Sequence, residues 1–408
     1  MSKIKILVIP SDKFGVGKFR IIDPYTYIGE NHDDEIHVDI SYGVDKGDDN
    51  LFLNYDAVVF HSFIHTTSHE DNVDRIKWLK DKGIKVIMDI DDLWFVDHRH
   101  PMYGHIKANK IGEKKIEMLK LSDYITTTTP IFAKTIKDKL KLNNVEVFPN
   151  AVNEDEPQFK SNKIESDKIR FGWLGGSSHL YDIELLTNGI ASTHNAFKDK
   201  VQFVLCGFDL RGTVHEIDQQ SGKQRTRPIQ PMETVWYKYE QIFTENYKVL
   251  SDEYKSFLST FLDTPYNDEN ESYRRRWTQE ITKYANNYNY FDVSLAPIVE
   301  SEFNANKSQL KVIEAGFHKK AIISSEVNPY TLDLISAVND GKFNNKGNAL
   351  LVNPKRNHKD WAKHMKRLVE NPNMIEDLGN RLYETVKDTY SLKKVCKDRI
   401  EFFKSIIK

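Results

Sequence analysis

The stretch Phe303–Tyr330, FNANKSQLKVIEAGFHKKAIISSEVNPY, decides how the rest of the chain is read. It reads as loop, helix, strand and loop. Asn304 to Asn306 are turn and cap formers, and Ser308 to Phe317 carries helical spacing. Gly316 with Lys319 and Lys320 ends the helix, and Ala321 to Ser324 gives a short buried strand. On the helix, Leu310, Ile313 and Phe317 form an apolar stripe. Lys307, Lys311 and Glu314, at i, i+4 and i+7, form a charged stripe beside it. A helix that begins in a loop offers free backbone N–H groups to an anion, and two lysines on one face add to that attraction. Glu314, one turn further in, is placed to accept hydrogen bonds from sugar hydroxyls. The spacing suits a sugar bonded to phosphate. The same residues also fit an ordinary amphipathic helix with a solvated salt-bridge face.

Working outward, 408 residues exceed what one core organises, since single cores stop growing at about 250 to 300 residues, so two domains are expected. An apolar content of 39% suffices for globular cores, and a net charge of −2 gives no general attraction to nucleic acid or anionic lipid. Cys206 and Cys396 stand in no metal or redox spacing and fit a reducing compartment. Met1 to Pro10 is too short and too charged for the apolar core of a signal peptide, and no long apolar run follows. A cytoplasmic protein without a transmembrane segment is expected.

Lys3 to Ile9 is a buried-strand pattern running into Ser11-Asp12-Lys13-Phe14-Gly15-Val16-Gly17, with a helix from about Phe19. That is the opening unit of a Rossmann-like half, with Gly15 and Gly17 read as turn glycines of positive φ and Lys18 and Arg20 close by. Further strands are expected at Glu35–Ile40, Ala57–Phe60, Lys85–Met88, Tyr124–Thr127 and Val145–Phe148. Helices near Asp71–Lys82, Gly112–Leu121 and Ile131–Leu140 separate the later ones. In such a doubly wound parallel sheet, ligands bind at the carboxyl ends of the strands. The polar clusters there are His61 to His65, Asp89-Ile90-Asp91-Asp92 and Thr126 to Thr129. The loop Trp94 to Tyr103, with His98 and His100, is aromatic and polar enough to receive a sugar. His98, His100 and His105 lack zinc spacing.

Asn150 to Lys168 is polar and strand-free, the best candidate linker. A second array follows: strand Ile169–Leu174, turn Gly175-Gly176-Ser177-Ser178, helix His179–Ile190, strand Val201–Cys206 and strand Phe291–Pro297. The glycine-serine turn before a helix is a phosphate-compatible nest. Between them, about residues 209–290 form a long aromatic-rich insertion, with slightly more acidic than basic residues. Packing is its expected role, and an acceptor or oligomer surface the sharper one. After the opening stretch come a strand at Ala349–Val352 and helices Trp361–Leu368, Met374–Asp388 and Ser391–Ile407.

The opening stretch resembles the donor-site segment of GT-B glycosyltransferases of the family-4 type. There a helix carries two acids eight apart, the second followed by Ala and a small residue, and a strand then ends near a proline. Glu314-Ala315-Gly316 matches the second acid and its neighbours, Ile322 to Ser325 matches the strand, and Asn306 stands where the first acid falls. The resemblance implies an α/β GT-B fold of two Rossmann-like domains facing across a cleft. Residues 1–155, completed by a last helix at about 391–408, would form the acceptor side, and 156–390 the nucleotide-sugar side. It implies a glycosyltransferase that moves a sugar from a nucleotide-diphosphate-sugar to an acceptor hydroxyl with retention. No metal and no cofactor beyond that co-substrate would be needed. Donor-binding residues would be Gly175, Gly176, Ser177, Asn306, Lys307, Ser308, Lys311 and Glu314, with Glu314 on the ribose. Asp91, His61 and Lys307 would be catalytic, and Gly15, Gly17, Arg20 and Asp92 would stand on the acceptor and phosphate side. Where relatives carry an Arg and a Lys around the first turn of the second domain, this chain has Trp173 and His179 in that neighbourhood. The basic residues are then sought at Lys307, Lys311 or Arg274 to Arg276.

Rival readings use the same residues. Asp89 and Asp91 after a strand would, in a metal-dependent transferase, hold a divalent ion on the donor diphosphate. A nucleotide-sugar epimerase, or a binding protein without turnover, would share the cleft. The acceptor would be a sugar or, as in phage-type enzymes, a modified DNA base, for which Arg274-Arg275-Arg276 offers a local patch. Oligomerisation through the insertion fits as well.

Overall fold

The computed structural model describes residues 3–217, 224–339 and 341–407. Met1 and Ser2, residues 218–223 of the expected insertion, Asp340 and Lys408 lie outside the described residues. The chain divides into two units, one of residues 1–157, 300–314 and 385–408, the other of residues 158–299 and 315–384.

The first unit holds six parallel strands: β1 Ile4–Ile9, β2 Ile36–Ile40, β3 Ala57–His61, β4 Lys85–Ile90, β5 Tyr124–Thr127 and β6 Val145–Val147. They lie in the order β2-β1-β3-β4-β5-β6. The apolar run of β1 is explained by burial on both faces. Leu7 and Ile9 pack with Phe60, Met88 and Ile136, whereas Ile6 and Val8 pack with Tyr25, Ile28 and Val395, Ile400 and Phe403 of the last helix, Leu392–Ile406. The chain turns from β1 straight into a helix. A π-helical stretch, Gly17–Ile22, leads into the α-helix Asp23–Asn31. Neither Gly15 nor Gly17 has the positive φ expected of a turn glycine. Gly17 is required for another reason: a Cβ there would come within 2.0 Å of the Asp12 carbonyl oxygen.

The second unit has a parallel sheet of the same kind, built from β7 Ile169–Leu174, β8 Val201–Phe208, β11 Tyr273–Trp277, β12 Val293–Ala296, β13 Ala321–Ser325 and β16 Leu350–Val352, in the order β11-β8-β7-β12-β13-β16. The short antiparallel pairs β9 Thr213–Ile217 with β10 Gln224–Pro228, and β14 Val338–Asn339 with β15 Lys342–Phe343, stand outside it. Its core runs through Phe171, Trp173, Phe203, Leu295 and Ile323, and the insertion adds Trp236, Tyr239, Phe243, Tyr254 and Tyr273. The insertion therefore extends both sheet and core. Strand β11, unexpected from its sequence Tyr-Arg-Arg-Arg-Trp, pairs in parallel with β8. Its central Arg275 is buried because Glu240, from the helix Val235–Phe243, neutralises it at 2.6 Å.

Two helices depart from expectation. Residues 180–197 form two helices, Leu180–Glu184 and Thr187–Phe197, rather than one. The helix Leu310–Phe317 is not amphipathic. From Val312 to Phe317 every residue is buried, and Glu314 is only 4% exposed, so the solvated salt-bridge face does not exist there. Asn304 and Ala305 belong to a preceding short helix, Glu302–Ala305, whose N-cap is Ser301.

Candidate functional site

In the first sheet the strand order reverses between β1 and β3, and the crevice outside their carboxyl ends is where doubly wound sheets bind ligands. Ser11 follows β1, His61 ends β3, and Asp91 and Asp92 follow β4. The structure joins them. His61 Nδ1 lies 2.6 Å from Ser11 Oγ, and His61 Nε2 lies 3.0 Å from Asp91 Oδ1. Because a carboxylate only accepts, Nε2 carries a proton toward Asp91. Ser11 Oγ is also placed to donate to Asp12 Oδ2 at 2.8 Å, so its one proton has two acceptors, Asp12 and His61. Asp12, Ser11, His61 and Asp91 thus form a hydrogen-bonded chain along which a proton can shift. The backbone turns sharply after the histidine: Ser62 has φ 68°, a conformation that costs a non-glycine residue about 1 to 3 kcal/mol.

The two carboxyls behind His61 are driven apart. Burial alone would raise Asp91, but the hydrogen bond and charge of His61 outweigh it and hold Asp91 below the usual carboxylate range. Asp92 is pushed up to about 6 by burial and then by the neighbouring Asp91, against the pull of Lys307, Lys115 and His61. Among the described residues the Asp92 carboxylate has no hydrogen-bond partner. One carboxyl is thus ionised and committed, the other uncommitted and near neutrality, the condition for acid–base work. His61, Asp91, Asp92 and Lys307 are brought together. Ser11, Asp12 and Lys115 join them without having been singled out as site residues; a Ser-Asp pair directly after the first strand was the available signal.

Other expected residues are engaged elsewhere. Arg20 is fully buried. Its Nη2 donates to Asp89 Oδ2 at 2.6 Å, its Nε donates to Asp89 Oδ1 at 3.1 Å, and its Nη1 donates to the Phe148 carbonyl. It does not face a phosphate. The same pairing removes Asp89 as a metal ligand, because both its oxygens are taken and Thr126 Oγ1 donates to one of them at 2.6 Å. Among the described residues no group of three or more His, Cys, Asp or Glu is arranged to hold a metal ion. Lys18 is paired with Asp23 and Glu156 at 2.7 and 2.6 Å. The Gly17 amide donates to Asp12 Oδ1 at 3.3 Å, while Gly15, just before the Gly17–Ile22 stretch, has free space around it. His65 is structural, hydrogen-bonded to the Val44 carbonyl and to Arg75. In the loop expected to receive an acceptor, Trp94 is buried against Phe132, His100 stands edge-on to Phe303, and His98 and His105 are exposed.

Around the opening stretch, the Lys307 ammonium lies 4.9 Å from the Phe303 ring centre. Ser308 Oγ accepts from Asn150 Nδ2 at 3.0 Å. Asn306 is buried, donating to the Glu302 carbonyl at 2.7 Å, while its own side-chain oxygen lacks a partner among the described residues. Lys311 is half-buried and Glu314 buried.

In the second unit the strand order reverses between β7 and β12, and the turn Gly175–Ser178 stands at that point. Gly207, at φ +100°, passes so close beneath it that a Cβ would meet the Gly175 carbonyl oxygen at 2.5 Å. The Tyr239 hydroxyl pins the turn, accepting from the His179 amide at 2.9 Å and donating to the Ser177 carbonyl at 3.0 Å. Asp182 ties the two strand ends: it accepts from the Val299 amide at 2.8 Å and pairs with His179 at 2.8 Å. Trp173 is in the core. Arg274 to Arg276 lie on β11, where Arg274 pairs with Asp268, Arg275 with Glu240, and Arg276 stacks on Tyr290, so they form no open basic patch.

No family model and no curated protein matches the sequence. Solved structures do match the whole chain. Anabaena Alr3699/HepE in complex with UDP and glucose is similar with a TM-score of 0.60 at 10% identity, covering 99% of this chain and 100% of that one. The catalytic domain of starch synthase IV from Arabidopsis thaliana, bound to ADP and acarbose, gives 0.57 at 10% identity over 99% of each chain. An α,α-trehalose-phosphate synthase from Burkholderia vietnamiensis gives 0.55 at 9% identity, covering 100% of this chain and 99% of that one. The fold is GT-B. In this GT-B chain each of the two sheets carries a polar cluster at its switch point, Ser11-His61-Asp91 in one and Gly175–Ser178 with Asp182 in the other. Among the described residues no helix of the GT-B chain is long and apolar enough to cross a membrane.

Proposed function

We propose that this protein is a glycosyltransferase that moves a sugar from a nucleotide-diphosphate-sugar to an acceptor hydroxyl. The observation that carries the reading is the likeness over 99% of the chain to HepE, crystallised with UDP and glucose. In this reading Glu314 grips the ribose, and Lys307, Lys311, Ser308 and Asn306 line the donor. Gly175, Gly176 and Ser177 form a phosphate-compatible turn at the switch point of the second unit. In this reading, charge developing on the leaving diphosphate is met by the lysines and by backbone N–H groups, the usual source of most barrier lowering. His61, oriented by Ser11 and Asp91, and Asp92 position and polarise the acceptor hydroxyl. Reaction with retention, metal independence and a cytoplasmic setting belong to the same proposal. Metal independence draws support from Asp89, whose carboxylate is spent on Arg20 and Thr126.

A panel of nucleotide-sugars screened by thermal shift tests the reading. A donor at a hundred times its dissociation constant stabilises by about 2.7 kcal/mol and raises Tm. Transfer to an acceptor, persisting in EDTA, is the expected second result. No shift with any nucleotide-sugar would sink the proposal. Conversion of the donor without an acceptor would favour an epimerase. Activity lost in EDTA and restored by Mn²⁺ would overturn the metal-free form.

A further inference from the structure

A cavity of about 420 Å³ lies in the second unit beside the edge strand β11. It is away from the switch point, since β8 and β7 stand between β11 and β12. Its volume is within the range of small-ligand sites, about 300 to 1,000 Å³. Part of its polar lining has no partner within the protein. Among the described residues the side chains of Asp263, Thr278, Gln279 and Arg276 make no hydrogen bond or ion pair within the protein. Arg274 and Arg275, the flanking cations on the strand, are already neutralised by Asp268 and Glu240. Among the described residues Arg276 makes no ion pair of its own, and Asp268, already paired with Arg274, acts on it only through space. Its guanidinium carbon sits 3.6 Å from the Tyr290 ring centre, and its Nε is buried without a partner.

A guanidinium stacked on a ring is held flat with its fork of N–H donors unspent, which matches a carboxylate or phosphate bidentately. Leaving a shielded cation unpaired costs stability unless something outside the chain pairs it. Beside it, Tyr266 and Trp277 present aromatic surface, and Asp263, Thr278 and Gln279 offer acceptors and donors for hydroxyl groups. We infer that this cavity binds a sugar unit bearing an oxyanion, a carboxylate or a phosphate. Arg276 takes the oxyanion, the aromatic rings take the sugar's apolar face, and Asp263, Thr278 and Gln279 take its hydroxyls. The inference stands apart from the donor site and does not depend on it.

The test is ligand-observed NMR titration of the full chain with glucuronic acid, glucose 6-phosphate, glucose and inorganic phosphate. The charged sugars are expected to bind at least tenfold more tightly than glucose and than phosphate alone. Tighter binding of glucuronic acid identifies a carboxylate as the preferred oxyanion, and of glucose 6-phosphate a phosphate; either supports the inference. Arg276→Gln is expected to weaken charged-sugar binding at least tenfold and to leave glucose binding unchanged. Should that variant not fold, Thr264→Glu, at an exposed position on the rim, brings a like charge to the cavity and is expected to weaken the same ligands. Equal binding of glucose and the charged sugars, binding of none of them, or wild-type affinity in the folded variants overturns the inference.

Discussion

Glu240→Gln is expected to destabilise the second unit by about 3 to 5 kcal/mol, the cost of breaking a buried ion pair by removing one partner. The magnitude follows from the geometry. Glu240 is fully buried and accepts four hydrogen bonds: from Arg275 Nε at 2.8 Å, Arg275 Nη2 at 2.6 Å, and the hydroxyls of Tyr273 and Tyr247 at 2.9 Å each. Each carboxylate oxygen receives one bond from Arg275 and one from a tyrosine. Glutamine keeps one oxygen, and whichever way its amide turns, its NH₂ faces an Arg275 N–H, which cannot accept, and a tyrosine hydroxyl, which must reverse to accept. One charge-assisted bond, about 1.5 to 3 kcal/mol, is lost, the others weaken with the charge, and Arg275 is left in the interior without its counter-charge. The carbonyl of Leu258 at 3.2 Å and the Phe208 ring at 4.2 Å keep part of the cation's solvation. Urea unfolding followed by tryptophan fluorescence measures the change, with Trp173 and Trp236 in the same core as reporters. Adding Arg275→Met to Glu240→Gln removes the orphaned charge and is expected to recover most of the loss. A destabilisation below about 1 kcal/mol, the value of an exposed pair, would refute the reasoning. So would a double variant no more stable than the single one.

Acidification is expected to weaken the second unit. Burial lowers His194 and His364 to about 4 and His318 to about 3, so below the ordinary value near 6.5 the unfolded chain takes up protons first. Stability is full above pH 6.5 and falls as pH drops toward 4, at about 1.4 kcal/mol per pH unit or about 3 kcal/mol for each group; flat thermal melts between pH 7 and pH 4.5 would contradict this. Asp23, raised to about 6 chiefly by burial, acts with the opposite sign in the first unit. Asp91→Asn takes away a like charge beside Asp92, so the Asp92 carboxyl is expected to titrate lower, by about one pH unit, in ¹³C NMR, while sugar transfer falls at least about a hundredfold. An unmoved Asp92 titration would mean that burial alone raises it. Glu314→Gln is expected to weaken nucleotide-sugar binding ten- to a hundredfold, about 1.4 to 2.8 kcal/mol by calorimetry, and equal affinity in a folded variant would remove this helix from the donor site.

The alternation of strands and helices, and with it the doubly wound class of each half, was legible in the sequence. Parallel strands buried on both faces must be largely apolar, and Ile6–Ile9, Ala57–Phe60 and Phe171–Leu174 declare themselves that way. The polar residues at strand ends were legible for the same reason: His61 and Asp91 stand where an apolar run stops, which in this topology is the ligand-binding rim. Partnership was not legible. Nothing in the spacing tells that Arg20 will cross to Asp89, 69 residues on, and be spent there, or that Ser11 will meet His61. A charged residue in a sequence counts as exposed until a partner is known, because only a paired charge can be buried. That rule kept a solvated Glu314 face open as the alternative reading, which burial excludes, and hid β11, whose middle arginine is admissible in a core only through Glu240. The sequence by itself determined which segments are strands and helices, since that depends on neighbours along the chain. Only the tertiary structure decided which charges are spent on the fold, such as Arg20 and Arg275, and which, such as Asp92, keep no hydrogen-bond partner among the described residues, since that depends on neighbours in space.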